Sequence, residues 1–112
     1  MRGVVIKQPF ADLGRLSEPT IYVLVSLSEG PRHGYAIMAD VERIAGEPLG
    51  AGTLYQVLAR LERRGLIEAL EIEERRRPYR LTGAGATALR AHLDGLSRLV
   101  RTGQERLGTN AP

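Results

Sequence analysis

Apolar and polar positions follow each other in changing rhythms along this chain, and each change of rhythm marks a boundary. In the stretch 17–30, Ile21, Leu24, Val25 and Ser28 share one helical face. Ser17-Glu18-Pro19 opens that stretch with a capping hydroxyl, an acid for the first turn, and a proline where the missing N–H is harmless. Gly30-Pro31 stops it. A second helix is predicted over 34–45, with Ile37, Val41, Ile44 and Ala45 as its buried stripe. Asp40, Glu42 and Arg43 are expected to face outward, and Gly46 ends the element. After the short turn 47–50 comes GAGTLYQVLARLERRGLI, where Leu54, Leu58 and Leu61 recur at i, i+4, i+7 with Val57 at the edge. Gly65 closes this third helix where a left-handed cap suits glycine. Two helices joined so tightly cross at a steep angle, as in helix-turn-helix proteins.

Beyond Gly65 the period drops to two. Tyr79 and Leu81 alternate with Arg80, and two antiparallel strands are expected at 66–73 and 77–81, with 74–76 near the tip. Thr82 then caps a final helix. Ala86, Leu89, Leu93, Leu96, Val100, Gly103 and Leu107 step alternately by three and four, which is a heptad seam. A helix of about 25 residues is ~37 Å long, more than so small a domain can cover. The seam therefore implies a second chain, the alternative being a helix folded back on its own core. Gly83, Gly85, Gly95 and Gly103 each weaken an isolated helix by up to ~1 kcal/mol, so tertiary contacts must hold it.

Three helices, a hairpin and a long terminal helix predict a mainly α chain with a small β-hairpin: a winged helix-turn-helix at 17–82 and a dimerisation helix at 83–108. Residues 1–16 are expected to form an arm, with a short turn of helix near 11–16, and 109–112 a tail.

Composition narrows the chemistry. At 112 residues the chain is one domain. It has no cysteine, so neither a disulfide frame nor a thiolate metal site is available, which suits the cytoplasm. No apolar run approaches the ~20 residues of a membrane helix, and the opening MRGVVIKQPFADLG lacks the apolar core of a secretory leader. His33 and His92 stand far apart, the first as a helix-start residue and the second beside the seam, so no metal is expected. Ser17, Ser26, Ser28 and Ser97 sit in no nucleophile motif, and no glycine-rich phosphate loop is present. Neither an enzyme nor a cofactor is expected.

Charge adds a direction. The net charge of +3 is unevenly placed: residues 1–49 carry five basic and six acidic side chains, 50–82 seven and five, and 83–112 four and two. The sharpest cluster is Arg75-Arg76-Arg77, either a solvated loop or a grip for an anion. The outer face of the third helix carries Thr53, Gln56, Arg60 and Arg63, with Tyr55 beside the apolar stripe. Hydroxyl, amide and guanidinium groups read base edges and hold phosphates. Tyr55 and Tyr79 fit either a core position with a wet hydroxyl or a phosphate contact. Arg60 could instead brace the wing through an acid such as Glu68.

Three stretches, GPRHGYAI at 30–37, GTLYQVLARLERRGLIE at 52–68 and YRLTGAG at 79–85, together resemble the PadR family of bacterial transcriptional regulators. The likeness runs from about residue 17 to residue 93. With a single helix after the wing, the chain is similar to the compact subfamily. The resemblance implies a homodimeric repressor that binds an inverted-repeat operator in double-stranded DNA, and a small-molecule effector that releases it. It places Thr53, Tyr55 and Gln56 at the start of a recognition helix with Arg60 one turn on, Tyr35 at the opening of the second helix, and Arg75, Arg76, Arg77 and Arg80 on a basic wing. Leu89, Leu93, Leu96, Val100 and Leu107 are the expected dimerisation residues. An effector would lie between the terminal and first helices, near Tyr22, Arg90 and His92. Without tryptophan, and with aromatics at 4%, a pore for stacking flat ligands is not expected. The rival reading is a winged-helix module that docks another protein.

Overall fold

The structure is a computed structural model that describes residues 18–109. The expected arm at 1–16, its short helical turn, the Ser17 cap and residues 110–112 lie outside the described residues. In chain order the elements are α1 (Glu18–Leu27), β1 (Arg32–His33), α2 (Gly34–Ala45), α3 (Ala51–Arg63), β2 (Ile67–Ala69), β3 (Pro78–Leu81) and α4 (Gly83–Thr109).

The core lies where α1, α2 and α3 meet. Val23, Leu24 and Leu27 of α1, Ile37 and Val41 of α2, and Leu54, Val57, Leu58 and Leu61 of α3 are buried together with Ile67 and Leu89. The stripe expected for α3 is therefore the one it buries. The face expected for α1 is turned. Thr20, Val23, Leu24, Ser26 and Leu27 are buried, Ile21 and Val25 are half-buried, and Ser28 is exposed. The reason is position: α1 packs against α2, α3, α4 and β3 at once, so it buries more than one stripe.

Two expectations for α2 are corrected. Ile44, at 45% exposed, lies in the last turn beyond Val41 and does not reach the core. Asp40 is buried at 6% exposed rather than facing outward. It sits three residues from Ile37 and beside Val41, so the apolar spacing had already placed it on the inner face. Its charge is tolerated because Arg43 donates to one carboxylate oxygen and Arg32 stands 3.9 Å from the other. Arg32 in turn donates through Nε to the Ser26 carbonyl at 3.2 Å, which ties the α1–α2 connection to the end of α1.

The hairpin is shorter than the period of two suggests, and it is not alone. A two-residue strand after Pro31 adds to its edge, giving an antiparallel sheet in the order β1-β3-β2. Arg32 pairs with Tyr79 and His33 with Pro78, while Ile67, Glu68 and Ala69 pair with Leu81, Arg80 and Tyr79. Past the ladder, Glu73 and Arg76 bridge around a turn whose central residues, Glu74 and Arg75, both have positive φ, 50° and 69°. That is the two-residue hairpin turn that matches strand twist, here built without glycine.

Candidate nucleic-acid interface

The starts of α2 and α3 and the hairpin tip converge on one side of the molecule. His33, the last residue of β1, caps α2: its Nδ1 accepts from the Ala36 N–H at 3.4 Å. Gly46 closes α2 at φ 81°, its N–H donating to the Glu42 carbonyl at 2.9 Å. The chain then turns directly into α3, whose N-cap is Gly50. Thr53, Tyr55, Gln56 and Arg60 are all exposed on α3 while Leu54, Val57, Leu58 and Leu61 are buried beneath them.

A groove of about 410 Å³ joins these parts, lined by His33, Gly34, Tyr35, Tyr55, Arg75, Arg76, Arg77 and Tyr79. Tyr35 stands out from the start of α2 at 72% exposed. The Tyr55 hydroxyl lies so close over Gly34 that a Cβ on residue 34 would meet it at 2.7 Å, so glycine is what admits the ring there. Tyr79 lines the same groove, half-buried. Burial, with the negative charge of Glu62 and a contribution from Tyr55, raises its hydroxyl above the ordinary value, and Arg77 opposes the shift. At neutral pH Tyr79 is therefore a hydrogen-bond donor. Tyr79 packs against the core while Tyr55 is 53% exposed, and both line the groove.

The wing arginines differ in how firmly they are held. Arg77 donates through Nη1 to the Leu70 carbonyl at 2.7 Å, across its own hairpin. Arg76 Nη1 stands 3.1 Å from Nε2 of His33. A neutral imidazole has one acceptor nitrogen, and Nδ1 already accepts the α2 cap, so the guanidinium cannot be satisfied there at the same time. Arg75, at the turn, makes no side-chain hydrogen bond or ion pair among the described residues. Arg80 is different again. It forms an ion pair with Glu68, the residue directly across the ladder. Glu68 thus braces the wing through Arg80, not through Arg60.

The proposed dimerisation residues fall into two groups. Leu89 is packed in the chain's own core at 5% exposed. From Leu93 on, the seam comes into the open: Leu93, Val100 and Leu107 are exposed and Leu96 is half-buried. Leu99, outside the predicted seam, is also exposed and widens the apolar strip. Stepping from the seam by sevens does not find it, although three residues from Leu96 is a helical neighbour. His92 is half-buried and Arg90 exposed on the same helix, while Tyr22 faces a small cleft of about 110 Å³ with Pro19, Val41 and Leu49. Among the described residues no cluster of metal-ligating side chains occurs, and no helix is long and apolar enough to cross a membrane.

Comparisons with known proteins agree with this geometry. RosR of H. salinarum is 34% identical, with a TM-score of 0.68 over 84% of this chain and 88% of that one. A complex structure of hsRosR matches equally well, over 84% and 87% of the two chains at a TM-score of 0.68 and 34% identity. A PadR family transcription regulator from hypervirulent Clostridium difficile is 26% identical, with a TM-score of 0.67 over 80% of this chain and 96% of that one. An uncharacterized 37.1 kDa protein in transposon TN4556 of Streptomyces fradiae is 44% identical over 85 residues. Those residues are 76% of this chain and 25% of that protein, so the chain spans about a quarter of the length of this relative. The Transcriptional regulator PadR-like family matches residues 23–91, from the core of α1 to the first turns of α4. The chain belongs to the PadR-like family of transcriptional regulators.

Proposed function

We propose that the chain is a homodimeric repressor that binds an inverted-repeat operator in double-stranded DNA. The observation that carries this reading is the groove shared by the start of α2, the start of α3 and the wing tip. The groove gathers groups suited to a phosphate, and the exposed face of α3 carries groups suited to base edges. Thr53, Gln56 and Arg60 on α3 would face the major groove, with Gln56 placed to pair with an adenine edge. Tyr35 and the Tyr55 and Tyr79 hydroxyls would meet the backbone at the start of α2. Arg75 and Arg76 would turn to phosphates of the adjacent groove, Arg76 exchanging its unsatisfied approach to His33 for an anion.

The open seam from Leu93 to Leu107 supports pairing of two copies. Covering Leu93, Leu96, Leu99, Val100 and Leu107 by the same strip of a second copy removes apolar surface at roughly 25 cal/mol per Å². Two-fold pairing would present two α3 helices to successive major-groove faces, which a two-fold symmetric operator matches. A small, non-planar effector bound between α4 and α1 would release the DNA by changing how the two helices meet. A gel shift against promoter DNA at two salt concentrations tests the reading. Affinity should fall steeply with salt as counterions are exchanged, and salt-insensitive or absent binding would favour a module that docks protein.

A further inference from the structure

The recognition helix and the proposed dimer arm meet at a packed corner. At the end of α3, Gly65 adopts φ 74° and the chain turns into β2. Thr82, just before α4, reaches back to this turn twice: its N–H donates to the Leu66 carbonyl at 3.1 Å and its hydroxyl to the Gly65 carbonyl at 2.7 Å. The same hydroxyl oxygen accepts from the Gly85 N–H at 3.0 Å, capping α4. Gly85 lies against Leu66 so closely that a Cβ there would sit 2.0 Å from the Leu66 carbonyl oxygen and 2.8 Å from Leu81 Cδ1. The first obstacle is backbone, which cannot rotate aside. One side chain and one missing Cβ therefore lock the first turn of α4 to the turn that follows α3.

We infer that the Thr82–Gly85 corner sets the distance and angle between the two recognition helices of the dimer, and so selects the spacing of operator half-sites. This rests on the proposed dimeric reading and adds its spacing determinant. The lever is long. A side chain at residue 85 must retreat by more than about 1 Å to reach ordinary contact. Leu89 is packed in the core four residues on, and a pivot there, about 6 Å away, converts that retreat into a tilt of roughly 10°. At Val100, eleven residues beyond Leu89, the arm moves by about 3 Å, and two-fold symmetry doubles the change to about 6 Å. One base-pair step advances only ~3.4 Å along the duplex axis, so the preferred spacing shifts by one or two base pairs.

The chain has no cysteine, so Ala59→Cys, exposed on α3, takes one spin label per protomer and reports the distance between recognition helices without DNA. In Gly85→Ala the label-to-label distance should change by several ångström with a narrow distribution. In a gel-shift panel of half-sites separated by stepwise insertions, the optimum should move by at least one base pair at similar best affinity. Unchanged distance and unchanged optimum overturn the inference. If Gly85→Ala does not fold, Thr82→Ala adds no atom and must broaden the distance distribution and flatten the spacing preference, whereas Thr82→Ser must restore both. A Thr82→Ala distribution as narrow as the parent's overturns it as well. Failure of the dimeric reading looks different, since the parent protein itself would then give no inter-protomer distance.

Discussion

The face of α3 and the far half of α4 are both exposed helix surfaces, and they are exposed for opposite reasons. On α3 the apolar stripe is complete underneath, with Leu54, Leu58 and Leu61 each at 1% exposed or less, and polar groups, Tyr55 and small residues such as Ala59 are left outside. On α4 the stripe itself is what remains outside once Leu89 has entered the core. A polar face over a finished core asks nothing more of its own fold and is free to meet a polyanion. An apolar face without a core is unfinished, and in the proposed dimer a second copy would finish it. The two surfaces fail in different ways when altered, and that difference can be measured.

The largest effect belongs to the apolar surface. Replacing both Leu93 and Leu96 with Asp would bury unpaired charge at the seam. Sedimentation should show monomers, and operator affinity should collapse because one protomer holds a single half-site. A double variant that stays dimeric would place the pairing surface elsewhere. Next comes the wing. Converting Arg75, Arg76 and Arg77 to Ala should weaken binding to every sequence, and the salt slope should fall by about 1 for each phosphate left without its arginine. The bond already made by Arg77, and the approach of Arg76 to His33, predict an order among single variants, with Arg75→Ala changing the slope most and Arg77→Ala least. A slope untouched by the triple change would make the trio a solvated turn.

Gln56→Ala should act on sequence rather than on charge. It should cost roughly 1–3 kcal/mol chiefly at one base pair of each half-site, with the salt slope unchanged. A uniform loss over all sequences would remove Gln56 from the reading set. Smaller still is Gly34→Ala. The added methyl meets the far end of the Tyr55 side chain, which can swing, so thermal unfolding should shift little. The displaced hydroxyl should weaken DNA binding several-fold, as measured by fluorescence polarisation, and unaltered affinity would show that Tyr55 packs but does not touch DNA. Flat cationic dyes should bind weakly or not at all, since no Trp is present to stack on them. Sub-micromolar binding at one dye per dimer would contradict that.

How far the sequence disclosed this molecule depended on whether burial followed periodicity. In α3 it did, and the inner and outer residues were legible from spacing and residue type alone. In α1 a single stripe was the wrong expectation, because a helix surrounded by four other elements buries whatever faces them. Asp40 was legible by spacing and hidden by residue type, since only Arg43 of its two partners lies on the same helix and Arg32 comes from β1. The strand at Arg32–His33 carried no period at all, being two residues long and fixed only by its pairing with Tyr79 and Pro78. Arg80 looked like its three wing neighbours until the register set Glu68 opposite it. The Thr82 cap was visible, but the close approach of Gly85 to Leu66 was not, because a glycine in a helix reads only as a weakness until its neighbour is known.

The central claim is that two finished polar faces are held at a fixed separation by one unfinished apolar seam. Selecting bound fragments from a genomic DNA pool with the purified protein tests it most directly. The account predicts a two-fold symmetric motif whose half-site centres lie about one helical turn, roughly 10 base pairs, apart or a multiple of it. Enrichment of no motif, or of a single asymmetric site bound by one protomer, would contradict it.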